Sequence, residues 1–362
     1  MTPAYARPAD ERVDLIHNIP YLVLHLAPLG VLWTGFTSFD VALCAGFYVL
    51  RLFFITAGYH RYFSHRAYKM GRVMQFLMAL GGTLAVQKGP LWWAGLHRHH
   101  HKYSDQIEDV HSPLKGFFWS HMGWIMCRKY RETPTELIKD FAKFPELRWL
   151  NKYHWVPPLA LGFVVFFAWG ASALFFGYFL SLVLAWHGTY FINSLTHLFG
   201  RRRYVTTDTS RNSFILALLT LGEGWHNNHH YYQSTANQGF FWWEIDISYY
   251  ILKVLSWVGL VRDLRTPPAH VLEANRIRDG HADIGMFQAK WASAVAYLEN
   301  ARAQAGEYYG ERKRAIDEIV ETTTSAAQEL ARQRKEAVDT MVRDTSAAAQ
   351  EIARMTQKAP AK

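Results

Sequence analysis

Between Tyr153 and Gly200 the chain carries no Asp, Glu, Lys or Arg, and between Val13 and Leu50 it carries no Lys or Arg and only Asp14 and Asp40 as acids. A soluble helix of such length normally keeps a charged face, so two apolar hairpins buried inside a soluble all-α protein is the weaker reading. Each gap, the first extended to Gly58, is long enough for two membrane spans of roughly 17–20 residues. "PYLVLHLAPLGVLW" leads through "TGFTSFD" into "VALCAGFYVLRLFFITAG", and "VPPLALGFVVFFAW" leads through "GASA" into "LFFGYFLSLVLAWHGTYFIN". Neither turn is basic. Apart from Arg51, every Lys and Arg therefore falls on one side of the membrane, which the positive-inside rule makes cytoplasmic.

The expected fold is an all-α integral membrane protein with four transmembrane helices in two hairpins, spanning about 20–36, 40–58, 156–171 and 173–195. A cytoplasmic segment (1–18) precedes a membrane domain (19–283), and a helical cytoplasmic cap is expected over 60–152 and 200–283. Both termini are expected in the cytoplasm, which in a bacterium means an inner-membrane protein. The opening "MTPAYARPADERVDL" is too polar for a secretory signal. The stretch "MQFLMALGGTLAVQKGPLWWAGL", Met74 to Leu96, is interrupted by Gly81, Gly82, Pro90 and Lys88. It reads as an interfacial or re-entrant helix beneath the cap, because crossing would strand the next histidine cluster on the far side.

The net charge of +9 is accounted for by topology, so no nucleic-acid partner is expected. Two cysteines, Cys44 and Cys127, without a CxxC pair exclude a disulfide framework, a thiolate zinc site and an iron–sulfur cluster. Histidine is the unusual residue, with 18 copies in clusters. "HRYFSH" holds His60 and His65; "HRHHHKYSD" holds His97, His99, His100 and His101; "NSLTH" holds Asn193 and His197; "HNNHH" holds His226, His229 and His230. On the expected topology all four lie at one depth, at the cytoplasmic membrane face. H-x-x-H-H occurs twice and places imidazoles at i, i+3 and i+4, neighbours on one helical face. His60 and His65 are about 140° apart around an α-helix, so they reach one ion from two sides or where the helix unwinds. Imidazole suits Zn, Cu, Fe and Ni. A closed structural zinc site needs only four ligands. Nine histidines divide between two ions at four or five each, which points to redox chemistry on something that lives in the bilayer.

These four motifs, in this order and spacing from about Ile19 to Ile245, resemble the histidine boxes of the membrane fatty-acyl desaturases, with the bacterial Δ9 (stearoyl-CoA-type) acyl-CoA desaturases the nearest group. The resemblance implies a non-haem di-iron centre, with O2 as co-substrate, held by His60, His65, His97, His100, His101, His197, His226, His229 and His230. Asn193 would contribute through a bound water, and His99 occupies a variable position. His17, His25, His154 and His187 read as structural. Metal-bound imidazoles usually donate their second N–H to a carboxylate or carbonyl, so Asp105, Glu108 and Asp109, near His111, are candidate supporting acids.

The reaction implied is insertion of a cis double bond, by default Δ9, into a saturated C16 or C18 acyl chain of a long-chain acyl-CoA. Four spans would enclose an apolar tunnel, with Cys44 and Tyr48 one turn apart as candidate tunnel residues and the Tyr48 ring as a limit on chain length. Two electrons must arrive from outside. The chain shows no H-P-G-G haem signature, Rossmann fingerprint or cysteine cluster, so a ferredoxin or cytochrome partner is implied. An acyl-lipid desaturase and a histidine-rich hydroxylase or alkane monooxygenase are the enzymatic alternatives. A metal-binding scaffold or transporter predicts ionisable residues inside the spans, and the second hairpin has no Asp, Glu, Lys or Arg. Beyond about Ile284 the chain becomes an Ala/Glu/Arg-rich helical tail to residue 362, in which 312–333 recurs as 334–355. The 22-residue offset is two elevens, near 3.67 residues per turn, and makes the tail a candidate for self-association.

Overall fold

The computed structural model describes residue 8, residues 10–277 and residues 283–357. The expectations for 1–7 and for the last tail residues lie outside these. Among the described residues, three helical stretches are long and apolar enough to cross a membrane: α1 (Ile16–Thr34), α2 (Ser38–Ser64) and the 42-residue Val156–His197. The last is not one rod. At Gly170 the backbone leaves helical geometry, with φ 83° and ψ −173°, a region open to glycine and closed to most L-residues. The chain folds back there, so that the Tyr178 hydroxyl donates to the Pro158 carbonyl at 2.7 Å. The two limbs are α5 (Val156–Ser172) and, after a π-helical stretch Ala173–Leu180, α6 (Ser181–Ser194). Large apolar side chains such as Trp33 and Phe167 face outward at 83% and 80% exposure. An outward apolar surface on so long a helix is what a lipid solvent requires.

The acid in the first charge gap is a cap. Thr37 Oγ1 accepts the Asp40 N–H at 3.2 Å, and Asp40 accepts the Thr37 N–H at 2.8 Å, a capping box that starts α2. Where a span ending near residue 58 is expected, helix continues to Ser64, because α2 changes to π-helix over Phe54–Ser64.

The stretch Met74–Leu96 is not a single interfacial helix. It is divided into α3 (Arg72–Thr83) and α4 (Pro90–Tyr103), with Val86 and Lys88 at positive φ in the break. Breaking a helix leaves carbonyls without partners. Arg51 Nε donates to Leu84 O at 3.0 Å and Trp186 Nε1 to Ala85 O at 2.7 Å. Arg51 also reaches Tyr178 O at 3.0 Å and the Ser181 hydroxyl. The one basic residue inside the apolar gaps thus serves as a cap for carbonyls of its neighbours, 1% exposed.

Around the π-helical end of α2 sits the main core, where Tyr59, Phe63, Tyr68 and Met78 pack with Phe141, Leu147 and Leu150. A short antiparallel sheet, β1 (Lys69–Met70) with β2 (Val261–Arg262), pairs Lys69 with Arg262 and Met70 with Val261. It ties the segment after α2 to the segment after α8 (Ile247–Trp257), and between these lies α7 (His226–Tyr231). The final helix, α9 (Ile284–Gln357), belongs for most of its length to a separate compact unit, residues 299–362.

Candidate metal centre

Four segments distant in sequence deliver nine imidazoles to two groups. His60, His65, His97, His101 and His229 form one, and His100, His197, His226 and His230 the other; within each group the ligand nitrogens all lie within 4.8 Å of one another. The split follows from helix geometry. On α4, His97 and His101 share one stripe and face the first group, while His100 turns to the second; on α7, His226 and His230 share a stripe and His229 turns away. His60 and His65 meet, with ring centroids 4.9 Å apart, because α2 is π-helical there. The His65 N–H donates to the His60 carbonyl at 3.3 Å, five residues back, which draws together two side chains that α-helical geometry would hold about 140° apart.

The nitrogens converge as ligands do. Nε2–Nε2 distances are 3.0 Å for His60–His229, 2.9 Å for His65–His97, 3.0 Å for His97–His101, 2.9 Å for His101–His229 and 3.1 Å for His197–His226. Such edges fit ligands about 2.1 Å from a common centre. On four of the nine rings the opposite nitrogen meets a carboxylate. His60 Nδ1 meets Glu223 at 2.5 Å, His100 meets Asp109 at 2.9 Å, His197 meets Asp105 at 3.1 Å and His230 meets Asp208 at 2.6 Å. With Nδ1–H donating to a carboxylate, Nε2 of these four rings holds a lone pair, the form in which imidazole ligates a metal. Burial among other imidazoles pushes His97, His101, His226 and His229 well below the ordinary histidine range, which keeps them neutral. Burial would raise the Asp208 carboxyl, but His230 beside it holds it well below the usual carboxylate range.

The two groups differ. Three of the four histidines in the second rest on aspartates, whereas one of the five in the first rests on a glutamate. Of the expected supporting acids, Asp109 lies against His100 and Asp105 against His197. Glu108 is exposed and contributes no contact to a histidine. Asp208 and Glu223 take the remaining roles. Glu223 was legible in "GEGWH", three residues before His226, whereas Asp208 sits in "TTDTSR" with no spacing to mark it. Glu223 is itself gripped by Arg61 Nη2 at 3.0 Å and by Gln238 at 2.9 Å, and Arg61 turns to Asp246 at 2.9 Å. Gly222, at φ +119°, lies against this network, since a Cβ there would fall 2.3 Å from Asp246 Oδ1. The asparagines of "HNNHH" are equally buried. Asn227 accepts the backbone N–H of Arg203 and Tyr204, and Asn228 donates to Gln238 O and Glu244. They anchor α7 and so aim its histidines.

His111 packs on His100 at 4.2 Å between centroids and shares Asp109 with it; that grouping overlaps the second and is no independent site. His99 packs at a tilt against Tyr103 and belongs to neither group, nor do His17, His25, His154 and His187. Asn193 lines a cavity with His100 and His226, closed on its other sides by Leu52, Ile55, Thr189, Ile192 and Thr220. A second cavity runs from Asn193 and His97 past Trp93 and Trp124 to Tyr21. Tyr48 stands behind the first. Its hydroxyl donates to Leu219 O at 2.8 Å and lies beside Gly188, where Leu52 and Thr220 also converge. Cys44, a turn earlier, is buried and lines neither cavity.

Residues 32–253, which hold all four histidine motifs, match the sequence model of the fatty acid desaturase family. The chain belongs to that family. The chain is 41% identical over 219 residues to the sn-1 stearoyl-lipid 9-desaturase of Synechocystis sp., covering 59% of this chain and 68% of that one. It is 37% identical to the sn-2 palmitoyl-lipid 9-desaturase of Nostoc sp. (59% and 77% covered) and 36% identical to Delta-9 acyl-lipid desaturase 1 of Arabidopsis thaliana (71% and 85%). As a fatty acid desaturase the chain is an oxidoreductase of lipid metabolism. The nine imidazoles form two groups that could hold metal ions.

Proposed function

We propose that the protein is an O2-dependent desaturase that places a cis double bond, at Δ9, in saturated C16 and C18 acyl chains. The observation that carries this is the five-plus-four division of histidine nitrogens beside a cavity in which His60, His97, His100 and His226 meet Leu52, Ile55, Trp93 and Ile192. The reading places four spans in the membrane, the two limbs that meet at Gly170 counting separately, with the cap and both termini on the cytoplasmic side. Two iron ions held by the two groups would supply an oxidant from O2 able to remove hydrogen from unactivated methylenes, which no side chain can do.

The protein's own residues do the rest. Carboxylates orient four of the imidazoles, burial keeps His97, His101, His226 and His229 neutral, and Asn193, which lines both cavities, would hold a water. Leu52, Ile55 and Ile192 keep the chain dry and positioned, and Tyr48, behind Leu52 and Thr220, limits its length. The motif resemblance makes the substrate an acyl-CoA thioester. A second reading, an acyl chain already esterified to glycerolipid, is favoured by the activities named for the three relatives. Electrons come from a separate ferredoxin or cytochrome, and the tail is the candidate surface for self-association.

The test is expression in a host lacking monounsaturated fatty acids, with a compatible electron donor, and double-bond positions read by gas chromatography–mass spectrometry. Δ9 16:1 or 18:1 with the wild type and none with His229→Ala is the expected result. Hydroxylated products, or no product despite donor and bound iron, would sink it. Purified protein offered stearoyl-CoA or a distearoyl phospholipid separates the two substrate readings.

A further inference from the structure

Desaturation by O2 consumes two electrons and two protons from outside for each double bond: an acyl –CH2–CH2– loses two hydrogens, O2 is reduced, and two waters form. The electrons must enter the cap somewhere. Most of the centre is sealed, with His60, His100, His197, His226 and His229 at 4% exposure or less. Both apolar cavities reach it from one side, through His60, His97, His100 and His226.

A separate, polar surface depression reaches it from another side, and that depression shares no lining residue with those cavities. It is lined by His101 of the five-histidine group and His230 of the four-histidine group. Their rings stand 4.5 Å apart, so a single spot on the surface touches both groups. The rim is formed by Lys102, Thr207, Tyr231 and Asn275. Lys102 is the one exposed charged side chain lining it, since Asp208 is buried against His230.

We infer that this depression is the electron-entry site, where a small one-electron carrier with an acidic face docks and delivers its electrons through the His101–His230 pair. The inference rests on the proposed metal centre. The occupant follows from the surface: it is polar and water-facing, too poor in cations to grip a polyphosphate, and open to both groups at once. Weak electron-transfer complexes use small interfaces of this kind, with rim charge setting encounter and register.

Two variants test it, Lys102→Glu and Asn275→Trp, the first reversing the rim charge and the second filling the depression. Lys102→Arg is the control. Binding of an acidic [2Fe–2S] ferredoxin, and separately of an acidic cytochrome b5, is measured on iron-free full-length protein in detergent by biolayer interferometry. The expected result is roughly tenfold weaker binding of the productive carrier for both variants, lost affinity at high salt and wild-type behaviour for Lys102→Arg. Turnover driven by a chemical reductant should be unchanged in all three. Unaltered carrier affinity in both variants, or a wild type that binds neither carrier, overturns the assignment; the first of these would leave the depression as an inlet for water only. If the wild type forms no unsaturated product even with the chemical reductant, the desaturase reading itself fails, a separate outcome.

Discussion

A neutral imidazole has one proton for two nitrogens, so whatever takes the N–H decides what the other nitrogen can do. This makes Asp105, Asp109, Asp208 and Glu223 as informative as the histidines they hold. Removing such a partner typically costs 10–100-fold in metal affinity. Asp208→Asn is therefore expected to lower iron retention by about that factor, while Glu108→Gln, altering an exposed acid, leaves it unchanged. Iron per chain after dialysis against a graded chelator series measures both, and equal retention in the two variants would refute the role given to Asp208. Tyr48 makes a different prediction. Its hydroxyl converges beside Gly188 with Leu52 and Thr220, which line the cavity, so Tyr48→Ala should shift the product profile toward longer chains with iron content unchanged. An identical chain-length profile would remove it from the tunnel.

At the scale of elements, the decisive device is the π-helical end of α2. Helical wheel reasoning separates His60 from His65, and only the wider turn brings their rings together. Nothing in the composition of "FITAGYHRYFS" announces that turn, because it is imposed by packing against α3 and α4. The tail behaves in the opposite way, being readable locally. Ile319, Leu330 and Met341 recur at intervals of eleven and are 65%, 56% and 72% exposed. Eleven residues make three turns at 3.67 per turn, so the row stays nearly parallel to the helix axis and suits a second copy of itself. If the tail self-associates, a chain ending at Gly310 should keep desaturase activity and run as a smaller assembly in detergent than the full chain. An unchanged mass by multi-angle light scattering would dismiss self-association through the tail.

For the whole molecule, burial of many neutral histidines fixes how stability depends on pH. His97, His101, His226 and His229 are held well below their ordinary 6.5. As pH falls through that value the unfolded chain takes up protons that the folded chain refuses, so folding stability must fall with it. The iron-free protein is expected to lose thermal stability steadily below about pH 6.5, and bound iron, which demands neutral imidazole, should raise the melting temperature most above that pH. Asp208 and Glu223, whose carboxyls are lowered, add losses only at more acidic pH. A melting temperature that is flat or rising toward about pH 5.5 without iron would contradict this account.

The apolar gaps, the clustering of histidine, the membrane class and the desaturase family were all legible in the linear chain. Each depends on residue type and short-range spacing, which hydropathy and helical periodicity report directly. The turn at Gly170 was legible in outline for the same reason, whereas the cap at Asp40 appeared only in the structure. The division of nine histidines into five and four, the carboxylate behind each of four rings, the break between α3 and α4 and the depression at His101 and His230 were decided only by tertiary structure. Asp208 reaches His230 across 22 residues and Glu223 reaches His60 across 163. Contacts that distant depend on how helices pack and where their geometry changes, and no local pattern carries that information.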